Sequence, residues 1–222
     1  MKNKIIGAIG PKGSGKTHSV AEYIRTLDRV AVFDLVHEAG YISDNSEIYQ
    51  GTLQQFGQSL LRDNFCSIYR PTKYSIEGDL VVCPSFETIV KLCYLRGNMT
   101  LVIDEAHLLC TSRSCPPMLT ISNLIGRHRQ LSLVYVAQSF AAITRPLTRN
   151  TDEFWFWRII EPVDLDGIRD RCGRDTADRV QNLRKLEQGN NGIIPGEMVK
   201  WNIWEGTVTP KGMEDERQED SL

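Results

Sequence analysis

Residues 4–24 read "KIIGAIGPKGSGKTHSVAEYI". "KIIGAIG" is a short apolar run, the length of one buried strand. "SGKTHSVAEYIRTL" places Val20, Ile24 and Leu27 at helical spacing. Between strand and helix, "GPKGSGKT" at residues 10–17 fits the pattern GxxxxGK[ST]. The spacing has a physical basis. Gly10, Gly13 and Gly15 let the backbone wrap a phosphate with its N–H groups turned inward, and Ser14 lies within that wrap. The helix that follows adds the positive end of its dipole. Lys16 is suited to neutralise the β- and γ-phosphates, and Thr17 to offer a hydroxyl to Mg²⁺. The expected cofactors are therefore ATP and Mg²⁺.

The second half of such a site is "LVIDEAH", residues 101–107. A buried apolar strand lifts Asp104 to the carboxyl edge of a parallel sheet, beside the glycine loop. Asp104 can then hold the Mg²⁺ hydration shell, with Thr17, and Glu105 can polarise an attacking water. Kinases of small molecules need no base against water, so the Asp-Glu pair favours an NTP hydrolase. His107 lies close by and reads either as a coupling residue or as a structural histidine.

The stretch "GRHRQLSLVYVAQS", residues 126–139, carries an apolar run that ends on Gln138. In an additional-strand sheet this strand lies between the glycine-loop strand and the Asp-Glu strand. Gln138 would then face the γ-phosphate, holding the attacking water or reporting whether that phosphate is present.

Further strands and helices alternate along the chain. "RVAVFDL", "FCSIYRP", "DLVVC" and "DEFWFWRII" read as strands, while "GTLQQFGQSLLRDN", "PSFETIVKLCYLRGN" and "MLTISNLIGRHRQL" read as helices. Asp164 to Gln188 reads as helical with a break near Gly173, and "GNNGIIPGEMVKWNIWE" as a terminal hairpin. This alternation predicts a mainly parallel sheet covered on both faces. The fold class expected is α/β: a P-loop NTPase of the additional-strand, RecA-like kind, ending in a β-hairpin. One motor domain is expected over residues 1–208, and an acidic, frayed tail over 209–222.

The 222 residues suit one α/β domain, and 41% hydrophobic residues suffice for a substantial core. A net charge of −2 excludes a polycationic nucleic-acid coat, so any DNA-facing surface must be local. There is no signal-like segment and no apolar run long enough to span a bilayer, which points to a cytoplasmic protein. Six cysteines without a CxxC pair read as reduced thiols; only Cys110 and Cys115 are spaced to pair or to bind metal.

Together, "GPKGSGKT", "LVIDEAH", "GRHRQLSLVYVAQS" and "FWRIIEPVDL" resemble the HerA–FtsK superfamily of DNA-pumping ATPases, the small genome-packaging ATPases of internal-membrane-containing viruses above all. The likeness runs over about residues 4–205. It implies that Lys16, Thr17, Asp104, Glu105 and Gln138 take the roles given above. It also implies that Arg127 reaches the nucleotide of its own subunit. A homo-oligomeric ring, a hexamer, would surround double-stranded DNA and hold it through phosphates, without sequence preference. A neighbour's arginine finger would come from Arg70, Arg145, Arg149 or Arg158. The arginine-rich "RDRCGRDTADRVQNLRK" and the Lys73 loop "RPTKYSIEGD" are alternative DNA elements. A bare motor domain would be recruited by a capsid or membrane protein. The alternatives are a HerA-like motor in DNA-end processing and an ATPase for membrane-associated protein assembly or export. "FWFW" and "CTSRSCPPM" depart from the family pattern.

Overall fold

Strand β1 (Ile5–Ile9) is buried along its whole length, because its residues alternate between two apolar layers. Ile5 and Ile9 enter one layer, and Ile6 and Ala8 the other. The computed structural model describes residues 3–208, apart from Asp79, Ser112, Arg113, Leu186, Asn190, Asn191 and Pro195. The acidic tail expected at 209–222 lies outside the described residues.

In chain order the elements are β1, α1 (Lys16–Ile24), β2 (Arg29–Phe33), β3 (Ser46–Gln50), α2 (Leu53–Ser59), β4 (Phe65–Arg70), β5 (Ser75–Glu77), β6 (Leu80–Val82), α3 (Pro84–Arg96) and β7 (Met99–Ile103). Next come α4 (Ala106–Leu109), α5 (Pro117–Ile125), β8 (Leu131–Ala137), α6 (Arg145–Arg149), β9 (Glu153–Trp157), α7 (Pro162–Cys172) and α8 (Arg174–Asn182). Strands β10 (Glu187–Gly189), β11 (Gly192–Ile194), β12 (Met198–Asn202) and β13 (Gly206–Val208) close the fold.

Nine strands form the main sheet in the order β13-β12-β9-β1-β8-β7-β2-β4-β3. From β9 to β3 every neighbouring pair is parallel, while β12 and β13 add an antiparallel hairpin. The central strands β1, β8 and β7 are buried at every residue, as strands covered on both faces must be. Strand β8 lies between β1 and β7, the position expected for the strand that ends at Gln138.

The two faces are covered unequally. Residues of α2 to α8 pack into the larger apolar layer, whereas among the described residues the second layer takes helical residues from α1 and Tyr41 from the 3-10 turn Ala39–Tyr41. The aromatic run of β9 serves both sides: Phe154 and Phe156 face the larger layer, Trp155 and Trp157 the smaller one. This accounts for "FWFW".

"DLVVC" contains a strand as expected, β6, which pairs with β5 in a two-stranded hairpin apart from the main sheet. Three expectations are corrected. The helical reading up to Gln188 ends at Asn182, and Glu187–Gly189 is a strand. An edge strand, β3, appears where none was expected, because "SEIYQ" is polar and mostly exposed. Cys110 and Cys115 are bonded as a disulfide: their Cα atoms come within 4.3 Å across the bend after α4. The remaining four cysteines are free.

Gly7 shows how tightly the centre is packed. A β-carbon there would lie 2.6 Å from the Tyr135 hydroxyl oxygen and 2.8 Å from the Phe154 ring. Tyr135 cannot easily give way, since its hydroxyl shares a 2.6 Å hydrogen bond with Thr151. Gly7→Ala is expected to cost about 1–3 kcal/mol. A lowered urea midpoint at unchanged slope would show it. An unchanged midpoint would mean that Tyr135 yields freely.

Candidate nucleotide site

The carboxyl ends of β1, β8, β7 and β2 meet at one edge of the sheet, and the candidate site is built there. The glycine loop leaves β1 and turns into α1. Gly13 and Gly15 have φ of 74° and 98°, the left-handed region in which glycine carries no steric cost. Gly10 is required for another reason: a β-carbon there would sit 2.8 Å from Cβ of Trp157. Trp157, at the end of β9, therefore backs the loop. The Gly10 N–H donates to the Ala137 carbonyl at 3.2 Å, tying the loop's start to the end of β8.

Lys16 is buried, with 6% of its surface exposed, and donates to the Pro11 carbonyl at 2.7 Å. Burial lowers its pKa, while Glu105, Asp104 and Glu38 pull the other way and favour the ammonium. Across from it, the Asp104 carboxylate is 2% exposed. Its Oδ1 accepts from the Tyr41 hydroxyl at 2.9 Å, and its Oδ2 is buried without a hydrogen-bond partner. Burial pushes the Asp104 pKa up to about 7; the Tyr41 hydrogen bond opposes this, and Glu105, Asp34 and Glu38 add to it. A buried carboxyl oxygen with no donor, beside a P-loop threonine, suits a hard divalent cation that brings its own water. Thr17 and Asp104 therefore fit Mg²⁺. Among the described residues there is no cluster of three His, Cys, Asp or Glu that would form an all-protein metal site.

Glu105, the second residue after β7, is in a left-handed conformation, φ 48° and ψ 45°. Such a backbone is costly for a non-glycine residue and turns the side chain out of the strand's alternation. Its Oε1 accepts from Gln138 Nε2 at 2.8 Å. Its Oε2 lies 3.3 Å from His107 Nδ1, without hydrogen-bond alignment. Burial lowers the His107 pKa, against the pull of Glu105. The contact places His107 beside the carboxylate.

Gln138 is held from behind. Ser139 donates to Asp164 Oδ1 at 2.7 Å, and the Ala141 N–H donates to the same oxygen at 2.8 Å. Asp164 is the aspartate of "EPVDL" and is buried. Its role in fixing the loop after Gln138 was not legible in the sequence, nor was that of Trp157 or Tyr41.

The structure thus brings together Gly10, Gly13, Ser14, Gly15, Lys16, Thr17, Asp104, Glu105 and Gln138. It does not bring Arg127 to them. Arg127 is exposed in the 3-10 turn Gly126–Arg129 that precedes β8, whereas Gln138 follows that strand. The seven residues of β8 span roughly 23 Å. Arg127 instead lines a cavity with Asn3, Ile5, Arg149 and Asp152 at the amino-terminal edge of the sheet. The expectation that it serves its own subunit's nucleotide is corrected by the direction of β8.

One other candidate arginine, Arg70, is committed within its own chain, and Arg158 lies beside its own glycine loop. Arg70 donates to Asp34 Oδ2 at 2.8 Å and to the Glu38 carbonyl at 3.1 Å. Arg158 lines a cleft of about 190 Å³ with Lys12, Gly13 and Ser14, beside its own glycine loop. Arg145 and Arg149 are exposed.

Residues 1–142 match the family described as an AAA domain. No curated protein sequence matches the chain. Among solved structures, the genome packaging NTPase B204 from Sulfolobus turreted icosahedral virus 2 in complex with ATP-gammaS has a TM-score of 0.70 at 16% identity, over 94% of this chain and 96% of that one. The same protein in complex with sulfate has a TM-score of 0.72 at 16% identity, with the same coverage. The pCW3 conjugation coupling protein TcpA, in its monomer form with ATPgS, has a TM-score of 0.51 at 13% identity, over 93% of this chain and 59% of that one. At these identities the likeness is one of fold. The match over more than half the chain, with the nucleotide cradle at its start, shows that the chain belongs to the AAA-domain family and is a P-loop ATP hydrolase.

Proposed function

We propose that this chain is the motor of an ATP-driven double-stranded DNA translocase of the genome-packaging kind. The observation that carries the reading is the Gln138–Glu105 hydrogen bond at the end of a strand inserted between β1 and β7. It joins the residue that would activate water to one that would feel the γ-phosphate, which a motor needs and a small-molecule kinase does not. The fold likeness to a genome packaging NTPase supports the same reading.

In this reading the loop N–H groups and Lys16 bind the phosphates, and Gln138 holds the water against Glu105. Glu105 takes the water's proton as its oxygen attacks the γ-phosphorus, and the bond from that phosphorus to the β–γ bridging oxygen breaks, so that ADP and phosphate leave. Thr17 and Asp104 would hold Mg²⁺, which would screen charge on the phosphates. The described residues act as one motor domain, taken as 1–208. The functional unit is a homo-oligomeric ring, with a hexamer the expected size. A head-to-tail ring joins two different faces of the subunit, and we place the amino-terminal edge of one subunit against the nucleotide edge of the next. Arg127, exposed on that edge beside Arg149, then acts on the neighbour's nucleotide.

The arginine-rich segment is a poor DNA surface. Arg169 pairs with Asp166, Arg174 with Asp178 and Arg179 with Asp175. Arg171 donates to the carbonyls of Thr148, Arg149 and Thr151 and lies over the Trp201 ring. Exposed Lys73, just before the β5–β6 hairpin, is the better phosphate contact. No helix among the described residues is long and apolar enough to cross a membrane. In this reading a capsid or membrane protein recruits the motor.

ATP turnover is expected to rise when linear duplex DNA is added, and the stimulation to fall steeply with salt as phosphate contacts are screened. Turnover indifferent to DNA at low salt would refute the reading.

A further inference from the structure

The segment between β2 and β3 crosses the metal-bearing side of the site and is fastened at both ends. At one end, Asp34 is fully buried; its Oδ1 accepts the Glu38 N–H at 2.8 Å and its Oδ2 accepts from Arg70 at 2.8 Å. Arg70 also reaches the Glu38 carbonyl, so one guanidinium clamps both the aspartate and the start of the crossing. His37 has a φ of 61°, a left-handed turn that bends the chain back over the sheet edge.

At the other end, Ala39–Tyr41 forms a 3-10 turn directly against α1. Gly40 is close enough that a β-carbon would meet Thr17 Cγ2 at 3.0 Å. Tyr41 is 2% exposed, and its ring is part of the apolar layer beneath α1. Its hydroxyl donates to Asp104 Oδ1 at 2.9 Å and also interacts with the Thr17 side chain. The two residues that fit Mg²⁺ thus share one neighbour. That neighbour occupies one carboxylate oxygen and leaves the other, Oδ2, without a hydrogen-bond partner.

We propose that Tyr41 is a positioning residue of the metal site. Its hydroxyl fixes the rotation of the Asp104 carboxylate so that Oδ2 stays turned to the cation's hydration shell, while the Gly40 backbone sets the place of Thr17. The inference rests on the ATP and Mg²⁺ reading above. Of the glycine-loop residues the hydroxyl meets Thr17, the metal-side residue, while Lys16 donates to the Pro11 carbonyl instead, so metal affinity and nucleotide affinity separate.

Mn²⁺ is the probe, its binding to the full chain with saturating ATPγS followed by electron paramagnetic resonance. Tyr41→Phe is expected to weaken Mn²⁺ binding about 10–100-fold, the usual effect of losing a partner of a metal ligand. Its affinity for ATPγS in EDTA, and its melting temperature in EDTA, should match wild type. Gly40→Ala keeps the hydroxyl but presses a methyl group against Thr17; it is expected to weaken Mn²⁺ in the same direction, and it decides the matter if Tyr41→Phe does not fold. Unchanged Mn²⁺ affinity in the folded variants would overturn the proposal. So would an equal loss of nucleotide affinity with and without metal, which marks a packing role. Wild type that binds ATPγS with no dependence on Mn²⁺ would instead overturn the metal reading on which the proposal stands.

Discussion

Glu105→Gln is expected to leave the protein folded and able to bind ATP, and to lower turnover by about 10²–10⁴-fold, the usual worth of a positioned general base. The substitution is a sharp one because of the contact it preserves. Gln138 donates to Glu105 Oε1 at 2.8 Å, and an amide oxygen in that place accepts the same bond. The left-handed backbone at Glu105 is no harder for glutamine, which has the same branching. What the change removes is the negative charge and the basic oxygen. Single-turnover hydrolysis, with binding of a fluorescent ATP analogue measured alongside, separates the two effects. Turnover close to wild type would take the water-activating role away from Glu105 and pass attention to its neighbour His107.

Arg127→Ala is expected to reduce turnover by about 10³–10⁵-fold, the scale of a lost arginine finger. Arg127 stands at the amino-terminal edge of its own sheet, the length of β8 away from Gln138. Its effect must therefore be exerted on another subunit, and this gives a test that a folding defect cannot mimic. Arg127→Ala and Lys16→Ala subunits are each expected to be inactive alone. Rings formed by co-expressing the two contain interfaces with an intact Lys16 on one side and an intact Arg127 on the other, so part of the activity should return. No recovery on co-assembly, or nearly full activity of Arg127→Ala alone, would shift the role to Arg149, which lines the same cavity, or to exposed Arg145.

The sequence carried those parts of the site that obey short-range rules. The glycine loop is legible because its φ requirements are local, and β1, β7 and β8 because a strand buried on both faces must be apolar throughout. The order β1-β8-β7 was expected from the additional-strand sheet type, and it sets Gln138 at the end of its strand beside Glu105. Strand β3 was hidden because its exposed polar residues carry no alternation. Arg127 was misplaced because a motif gives order along the chain and not direction across the sheet. Tyr41, Trp157 and Asp164 were invisible for a common reason: each meets its partner across a long stretch of sequence, as Tyr41 meets Asp104 63 residues later. The Cys110–Cys115 bond depended on how sharply the chain turns after α4, which spacing alone does not determine.

The central claim is that ATP hydrolysis by this chain moves double-stranded DNA. Displacement of a labelled third strand from a triplex at the end of a linear duplex measures that movement directly. The wild-type protein is expected to release the third strand only with hydrolysable ATP, and Glu105→Gln to bind DNA and ATP without releasing it. Rapid ATP turnover in the presence of the duplex, with the triplex left intact, would contradict the claim.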